Sequence, residues 1–282
     1  MSFFRYPGGK NKLKKQIITK LSTCKGLQYR EPFFGGGSIG LQLLSDGIID
    51  DIWINDKDVG ISCLWTSVIL FHEELKERIQ NFTPSINKFY EIKDELLKLD
   101  FMPKNIFSCV DIGFKKLAIH QISYSGLGVK SGGPLGGVKQ KSKYKINCRW
   151  SPKYLCRKID YYNSKFRNVR IERGLCSNRD FQTIIEDDCP AILYVDPPYF
   201  HKGNELYQCG FTVQDHVRLC RLLMKTKHRW VLSYDDCLAI CKMYDWANIE
   251  TISTNYTIKQ RKNNIGESIS DVKTELLICS KE

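Results

Sequence analysis

A glycine triplet at positions 35–37, between a short apolar segment and a helical one, constrains the fold of this chain more than any other feature. Residues 28–34 are predicted to form a strand that enters this turn, and Ser38 is predicted to cap the helix that follows. A second short strand, residues 52–54, ends just before Asp56. This order of strand, glycine turn, helix and strand is typical of nucleotide-binding α/β units, in which the glycines let the backbone approach a ligand closely.

Apolar strands and helices alternate through the rest of the chain, around a long insertion. Residues 59–99 carry apolar side chains at spacings of three and four, which predicts helices, whereas residues 123–145 are rich in Gly, Ser and Lys and interrupt regular structure. A further helix is predicted at residues 212–224, and further strands are predicted at residues 191–195, 230–233 and 274–279. The pattern indicates an α/β fold interrupted by an insertion that is rich in basic and aromatic side chains.

The predicted helix at residues 212–224 has a defined start and an expected buried face. Thr212 and Asp215 have the spacing of a capping box, in which each side chain accepts a hydrogen bond from the backbone amide of the other residue. Four apolar side chains are expected to pack inward together: Val213, Val217, Cys220 and Met224.

Length and composition are those of an ordinary globular protein. The chain of 282 residues is long enough for one or two domains, and 42% of its residues are hydrophobic. Its longest apolar runs are far shorter than the ~20 residues of a membrane span, and its first residues lack the apolar core of a signal peptide. These features predict a cytoplasmic protein, with the oligomeric state open and a monomer assumed.

The 12 cysteines are predicted to be reduced residues that serve packing. They are spread along the chain, and no C-x-x-C pair occurs. Cys237 and Cys241, four positions apart on a predicted helix, are able to share a metal ion, but no second Cys or His pair has the spacing of a zinc site. No metal is therefore predicted.

The charge of the chain favours a polyanionic partner. Lys and Arg number 43 against 31 Asp and Glu, which gives a formal net charge of +12. Basic residues concentrate at 10–15, 130–173 and 259–262, and in the middle stretch aromatic residues lie between them, a mixture that suits phosphate contact with base stacking. The alternative is a protein whose basic charge only keeps it soluble.

The most specific motif is Asp196-Pro197-Pro198-Tyr199, directly after the predicted strand at residues 191–195. Two successive prolines remove two amide donors, so the loop presents mainly acceptors. The carboxylate of Asp196 and the carbonyl of Pro197 are expected to accept hydrogen bonds from one amino group, and Tyr199 is expected to stack on the ring that carries it. In the alternative interpretation, the prolines only end the strand.

Asp56 follows the glycine triplet at the distance at which an acid binds ribose hydroxyls in nucleotide-binding units. The triplet matches neither GxGxxG nor the P-loop, since no Gly-Lys-Ser/Thr follows it. The expected ligand is an adenosine that needs no phosphate cradle. In the alternative interpretation, the glycines only turn the chain.

These motifs together resemble those of the adenine-specific DNA methyltransferases of the Dam type, in the same order and over most of the chain. Arg5-Tyr6-Pro7-Gly8-Gly9-Lys10 resembles the N-terminal cofactor motif of that family, and residues 31–38 resemble its glycine loop. Asn55-Asp56 resembles its ribose-binding acid, and Asp180-Phe181 resembles the pair near the adenine of the cofactor. Residues 196–199 resemble its catalytic tetrapeptide.

The resemblance implies a Rossmann-like, S-adenosylmethionine-dependent methyltransferase fold with an inserted, mainly helical target-recognition domain. Residues 1–58 and 171–282 are expected to form the catalytic, cofactor-binding domain, and residues 59–170 the target-recognition domain, which binds double-stranded DNA. The resemblance assigns catalysis to Asp196, Pro197, Pro198 and Tyr199. It assigns cofactor binding to Tyr6, Lys10, Phe34, Gly35, Gly37, Ser38, Asp56, Asp180, Phe181 and Asp196.

The expected reaction is direct methyl transfer to the exocyclic amino group of a flipped adenine, without a metal or a covalent intermediate. His201, just after the tetrapeptide, is a second candidate for a base. Where the closest family members have an Asn/His-containing motif, this chain has Ser233-Tyr234-Asp235-Asp236. The expected DNA contacts are Ser125, Lys130, Lys139, Lys141, Lys143, Lys145 and Arg149.

Two groups of alternatives stay open at this point. The same chemistry also acts on adenine in RNA or on the amino group of cytosine, and the fold also occurs in catalytically silent nucleic-acid-binding regulators. The intact tetrapeptide argues against a silent protein. The sequence gives neither the recognition site nor whether the protein acts in restriction-modification, in a phage, or as an orphan enzyme.

Overall fold

The computed structural model describes residues 4–10, 13–22, 26–201, 203–255, 261–262, 268–269 and 272–281. Parts of two predicted basic clusters, residues 11–12 and 259–260, lie outside these ranges, as does Cys24. None of the helices within the described ranges has the length and apolar character that crossing a membrane requires.

A mainly parallel sheet forms the centre of the fold. The strands are β1 (Gln28–Glu31), β2 (Asp51–Ile54), β3 (Arg170–Ile171), β4 (Ala191–Val195), β5 (Arg229–Asp235), β6 (Asn248–Asn255), β7 (Arg261–Lys262), β8 (Ser268–Ile269) and β9 (Val272–Cys279). Seven of them form one sheet in the order β3-β2-β1-β4-β5-β9-β6, while β7 and β8 pair with each other. Strands β1 to β5 run parallel, and β9 is antiparallel to both of its neighbours.

Helices make up most of the connections between the strands. They are α1 (Lys14–Leu21), α2 (Gly40–Ser45), α3 (Val59–Leu70), α4 (His72–Gln80), α5 (Ile86–Leu97), α6 (Ile106–Ile122), α7 (Pro152–Phe166), α8 (Phe181–Ile185), α9 (Gly203–Leu206), α10 (Val213–Lys225) and α11 (Leu238–Met243). The helical pattern predicted for residues 59–99 is confirmed as three helices, α3 to α5. Residues 123–145 contain two short 3-10 turns and an isolated bridge between Ser123 and Pro134 but no helix or strand of regular length, as expected from their composition.

Both faces of the sheet are covered, which explains the uninterrupted apolar run of β4. Ile192 and Tyr194 belong to one hydrophobic cluster with residues of α1 to α7, whereas Leu193 and Val195 belong to a second cluster with residues of α8, α10 and α11. Because successive residues of a strand point to opposite faces, the helices form two layers around the sheet. The predicted Rossmann-like α/β class is therefore confirmed.

The segment predicted to recognise DNA, residues 59–170, shares a core with the sheet. Trp65 of α3 is fully buried, its ring packs edge-on against Phe34 at a centroid distance of 5.1 Å, and its indole N–H donates to the carbonyl of Gly35 at 2.8 Å. On its other side, α3 packs against α6, where a Cβ added at Gly113 would lie 2.8 Å from the backbone of Leu64. Helix α3 thus contacts the glycine turn directly, and α6 packs behind it. The division into two domains stays a prediction.

The start of α2 differs from the prediction that Ser38 caps it. The N-cap residue is Ile39, and no side chain caps the helix there. Instead, the backbone amide of Gly40 donates to the carboxyl of Glu31 at 3.2 Å, from the end of β1. A capping acceptor that comes from the neighbouring strand has no local sequence pattern, so the sequence predicts the nearest hydroxyl residue instead.

Helix α10 confirms its predicted capping box but not its predicted face. Thr212 and Asp215 exchange the two expected hydrogen bonds. Of the predicted face, Cys220 is buried and Val217 is partly buried, whereas Val213 and Met224 are 59% and 54% exposed. The buried residues of the helix are His216, Leu219, Cys220, Leu222 and Leu223. The polar side chain of His216 is buried without loss of hydrogen bonding, because its Nδ1 is hydrogen-bonded to the hydroxyl of Tyr234.

Candidate active site

Most of the predicted cofactor residues line one cavity, at the carboxyl ends of β1, β2 and β4. This is the edge at which ligands bind in open α/β sheets. The predicted residues that line it are Tyr6, Phe34, Gly35, Gly37, Ser38, Asp56, Asp180, Phe181, Asp196 and Pro198. Three predicted residues, Lys10, Pro197 and Tyr199, do not line it.

The glycine turn has a backbone that only glycine adopts without strain. Gly35 and Gly37 have φ values of 48° and 63°. A Cβ at Gly35 would lie 2.7 Å from the ring of Tyr6, and one at Gly37 would lie 2.6 Å from the ring of Phe34. The two glycines therefore bring these aromatic rings against the turn that forms one wall of the cavity.

Asp56 connects the end of β2 to this turn. Its Oδ2 accepts a hydrogen bond from the amide of Gly35 at 2.7 Å, and its Oδ1 accepts one from the amide of Asp58 at 2.9 Å. Burial, followed by the charge of Asp58, raises the pKa of the Asp56 carboxyl to about 7. Asp56 thus lies in the cavity, as the resemblance implies, and its charge changes near neutral pH.

Aromatic rings form another part of the cavity lining. Phe33 lies 5.5 Å from Phe181 and 5.6 Å from Phe211, measured between ring centroids. The guanidinium of Arg218 lies 4.2 Å from the centroid of Phe181 and donates to both oxygens of Asp180 at 3.1 Å. Sequence reasoning found Asp180 and Phe181 but missed Phe33, Phe211 and Arg218, which come from separate elements and follow no local motif.

Glu31 is a second buried acid at the cavity, and it was not among the predicted site residues. Its carboxyl accepts hydrogen bonds from the hydroxyl of Tyr29 at 2.7 Å and from the amide of Gly40 at 3.2 Å. Burial raises its pKa well above the usual value for a glutamic acid. Its contacts explain why an acid ends β1 in this chain, because it organises the start of α2.

The catalytic loop predicted from sequence follows β4 directly, and its aspartate is held from two sides. Oδ1 of Asp196 forms an ion pair with Nζ of Lys10 at 2.7 Å and accepts a hydrogen bond from Oγ of Ser233 at 2.8 Å. The hydroxyl of Ser233 also lies 3.0 Å from that of Tyr194. Oδ2 of Asp196 accepts no hydrogen bond from the residues that the structure describes, and Asp196 lines the cavity. One oxygen of the carboxylate is therefore fixed, and the other is open.

Tyr199 is held by its hydroxyl and by one face of its ring. The hydroxyl donates to the carboxylate of Glu275 in β9 at 2.5 Å, and Nζ of Lys10 lies 4.7 Å from the ring centroid. Burial, then the nearby carboxylates of Asp196 and Glu275, raise the pKa of the phenol well above its usual value. Glu275 was also missed by sequence reasoning, because it lies 76 residues from its partner.

Ser233 and Asp235 lie in the segment where this chain departs from the family motif, and each makes a defined contact. The hydroxyl of Ser233 donates a hydrogen bond to Asp196. The two carboxylate oxygens of Asp235 accept hydrogen bonds from the backbone amides of Phe200 and His201, at 2.9 and 3.1 Å. The ligand atoms of His201, Asp235 and Cys237 lie within 4.8 Å of one another. Through these two hydrogen bonds, Asp235 fixes the backbone that follows the predicted catalytic loop.

All seven residues predicted to contact DNA are exposed: Ser125, Lys130, Lys139, Lys141, Lys143, Lys145 and Arg149. Ser125 belongs to a turn with a positive φ of 54°. The guanidinium of Arg5 holds the start of this turn by donating to the carbonyls of Gln121 and Ser123 at 3.2 and 3.1 Å. Because Tyr6 follows Arg5 and lines the cavity, the N-terminal motif connects the turn to the site.

Comparisons with known proteins identify a family. The family model described as D12 class N6 adenine-specific DNA methyltransferase matches residues 6–258, nearly the whole chain. No curated protein matches. Among solved structures, precorrin 8W decarboxylase from Methanobacterium thermoautotrophicum is 11% identical, with 96% of this chain and 90% of that chain covered. Its TM-score of 0.36 is too low to carry an argument.

Proposed function

Because the chain belongs to the D12 class N6 adenine-specific DNA methyltransferase family, we propose that it transfers a methyl group from S-adenosylmethionine to the exocyclic amino group of an adenine flipped out of double-stranded DNA. The observation that carries this proposal is the way in which the carboxylate of Asp196 is held. One carboxylate oxygen is fixed by Lys10 and Ser233, and the other is open at the cavity. A fixed acceptor with a free oxygen suits an amino group that must be held in one orientation.

The chemistry of the cavity fits S-adenosylmethionine. The rings of Phe33, Phe181 and Phe211 offer apolar faces to an adenine, and the carboxylate of Asp56 offers acceptors to ribose hydroxyls. The glycine turn exposes backbone to the methionine part, and the acids of the cavity favour a cation. When bound, this cofactor supplies a methyl group activated by a positively charged sulfur.

The flipped adenine needs a support that replaces the stacking it loses in the duplex. Extruding a base costs a few kcal/mol, and stacking on an aromatic side chain returns roughly 1–3 kcal/mol. Tyr199 offers such a ring directly beside Asp196, and its hydroxyl is anchored on Glu275. The ring is therefore preorganised, so little entropy is lost when the base arrives.

The acceptors of the loop then act on the amino group. Its nitrogen is a poor nucleophile while its lone pair is delocalised into the adenine ring. Oδ2 of Asp196 and the carbonyl of Pro197 accept its two N–H bonds, which favours tetrahedral geometry and directs the lone pair toward the methyl donor. The transfer is direct and needs no covalent bond to the enzyme.

We assign target recognition to residues 59–170, and catalysis and cofactor binding to residues 1–58 and 171–282. The exposed basic side chains of the recognition segment are suited to phosphate contacts. Four of them, Lys139, Lys141, Lys143 and Lys145, alternate along one exposed loop. Such contacts position the duplex without carrying sequence information.

Charge reversal of these four lysines to glutamate is expected to weaken DNA binding strongly while leaving cofactor affinity unchanged. Each lost phosphate contact also flattens the dependence of log affinity on log salt by about 0.9. Fluorescence anisotropy with a labelled duplex at several salt concentrations measures both effects.

The matched control reverses four exposed lysines elsewhere on the surface: Lys225, Lys227, Lys242 and Lys281. It makes the same change in net charge and should alter the salt dependence much less. If the two quadruple variants bind DNA equally well, the basic loop is an ordinary solvated surface.

The cofactor affinity is expected to fall as the pH decreases through about 7, because Asp56 becomes protonated in that range. A carboxylate accepts hydrogen bonds from ribose hydroxyls and attracts a cation, whereas a neutral carboxyl does neither as well. The dissociation constant should rise by at most about tenfold per pH unit, the limit for one proton. Calorimetric titration with S-adenosylmethionine between pH 5.5 and 8.5, values bracketing that pKa, measures it.

Asp56→Asn is the matched variant, because it keeps the shape of the side chain but does not titrate. At pH 8 it should bind the cofactor about tenfold or more weakly, as expected for losing a hydrogen bond to a charged group of about 1.5–3 kcal/mol. The steep part of its pH dependence should be absent, while titration of the ligand itself remains. An affinity equal to that of the wild type at every pH would remove Asp56 from the site.

The proposed function itself is tested by analysing the product. The purified protein is incubated with S-adenosylmethionine and unmethylated duplex DNA, and the nucleosides are separated by mass spectrometry. N6-methyladenine is the expected product. N4-methylcytosine, or methylation of RNA only, would overturn the proposal. Sequencing the methylated DNA after expression in a methylation-free host gives the recognition site.

A further inference from the structure

Lys10 is a buried cation that does not itself line the cofactor cavity, although two of its partners, Gly8 and Asp196, do. Its side chain is 4% exposed. The cavity is lined by residues 6–9 of the same segment but not by Lys10. A lysine is rarely buried without a partner, because removing its charge from water costs several kcal/mol. The partners of its ammonium group therefore indicate what the charge is used for.

The ammonium group has three N–H donors and three contacts. It donates to the carbonyl of Gly8 at 3.0 Å and forms an ion pair with Oδ1 of Asp196 at 2.7 Å. It also lies 4.7 Å from the centroid of the Tyr199 ring, within the range of a cation–π contact. One cation thus touches both of the side chains that the proposed function uses to hold the adenine.

These contacts decide which parts of the two side chains remain available. Oδ1 of Asp196 is taken by Lys10 and Ser233, so only Oδ2 is open to an incoming amino group. Lys10 covers one face of the Tyr199 ring, so a base is able to stack only on the opposite face. The contact with Gly8 anchors the cation to the N-terminal segment that lines the cavity.

We propose that Lys10 is a positioning residue for methyl transfer, which orients the carboxylate of Asp196 and the ring of Tyr199 together instead of binding the cofactor. The proposal rests on the proposed function and adds a residue to it. Ser233 holds only the carboxylate of Asp196, to which its hydroxyl donates. Glu275 holds only Tyr199, by accepting a hydrogen bond from the phenolic hydroxyl. Lys10 is the contact that the two groups share.

The test compares Lys10→Met with Lys10→Arg and the wild type. Lys10→Met removes the charge but keeps an unbranched apolar chain, and is expected to lower kcat by about 100-fold, the cost of misplacing reacting groups by about 1 Å. The dissociation constant of S-adenosylmethionine, measured by calorimetry, should change by less than about threefold. Lys10→Arg keeps the cation and should recover at least about tenfold of the lost kcat.

A second measurement reports on the ring of Tyr199. A duplex with 2-aminopurine at the target position fluoresces when the base is flipped, and stacking on a tyrosine quenches this signal. The Lys10→Met complex is expected to be brighter than the wild-type complex, because its ring is no longer fixed. Lys227→Met is the control: Lys227 is exposed just before β5, at the opposite end of the strand from the site, and its kcat should be unchanged.

The outcomes separate this proposal from the proposed function. If the wild type makes no N6-methyladenine, the proposed function fails. If the wild type is active and Lys10→Met keeps its kcat, or instead loses cofactor affinity in proportion to kcat, the positioning role of Lys10 is wrong. Should Lys10→Met fail to fold, Lys10→Arg decides: it is expected to bind the cofactor normally and to show a lowered kcat, and normal kcat with weakened cofactor binding would overturn the proposal.

Discussion

Replacing Asp196 by alanine is expected to lower kcat for methyl transfer by about 10²- to 10³-fold at saturating DNA and cofactor, the size of effect seen when one preorganised transition-state contact is removed. Oδ2 is the open oxygen of the carboxylate that Lys10 and Ser233 hold, so no neighbouring side chain takes its place. Single-turnover transfer of a labelled methyl group measures kcat free of product release.

Asp196→Asn is the isosteric partner of this variant. The amide has one acceptor and one donor end, so either the donor faces the adenine amino group or it faces Lys10. In both orientations two hydrogen-bond donors face each other, so we expect kcat to fall nearly as far as in the alanine variant. The affinities for S-adenosylmethionine and DNA should stay within a few fold of the wild type. Near-normal turnover in Asp196→Ala, or a covalent DNA adduct trapped on any cysteine, would overturn the direct mechanism.

The second large effect is expected at Tyr199. Tyr199→Ala removes the ring on which we propose that the flipped base stacks, a contribution of roughly 1–3 kcal/mol, and should lower kcat/KM by about 5- to 150-fold. Tyr199→Phe keeps the ring and loses only the hydroxyl that donates to Glu275. We therefore expect Tyr199→Phe to retain substantial activity, with a loss well below that of alanine.

A comparison with Glu275→Gln separates the ring from its anchor. Glutamine still accepts the hydrogen bond of the Tyr199 hydroxyl, so this variant should resemble the wild type more closely than Tyr199→Phe does. Steady-state kinetics of the three variants on one duplex are sufficient. If Tyr199→Phe is as impaired as Tyr199→Ala, the hydroxyl matters and the stacking platform does not.

Elements with a strong local pattern could be predicted from the sequence. The strand at residues 191–195 is β4 in the structure, and the capping box of α10 is formed by the two predicted residues. A run of apolar residues before two prolines, and a Thr with an Asp three positions later, each determine structure over a few residues. The same holds for the glycine turn, whose backbone angles require glycine at two positions.

The contacts that complete the site could not be predicted in this way. Asp196 meets Lys10 and Ser233, which lie 186 and 37 residues away from it in the chain, and Arg218 meets Asp180 at a separation of 38. No local spacing encodes such pairs, because the order of strands in the sheet brings them together. The motifs therefore predicted most of the residues that line the cavity, and the fold determines which of their atoms remain free.

The buried face of α10 was predicted wrongly for a related reason. The predicted face followed Val213, Val217, Cys220 and Met224, which lie three or four positions apart, and it did not include the polar His216. In the structure, Tyr234 of β5 supplies a hydrogen-bond partner for this imidazole, so the histidine lies within the core. Whether a polar residue of a helix is buried can therefore be predicted only when its hydrogen-bond partner is known.

The hydrogen bond from Trp65 to the carbonyl of Gly35 has a consequence for protein engineering. One way to change the target sequence is to exchange the proposed recognition segment, residues 59–170, for that of a relative. Such an exchange treats the segment as an independent unit. A chimera joined at residue 58 would replace Trp65, which donates a hydrogen bond to the glycine turn, together with helix α3. Junctions at the two ends of the exposed loop between α6 and α7, residues 136–145, would leave Trp65 and the helices packed around it with their own turn. Only the outer part of the segment is a modular unit.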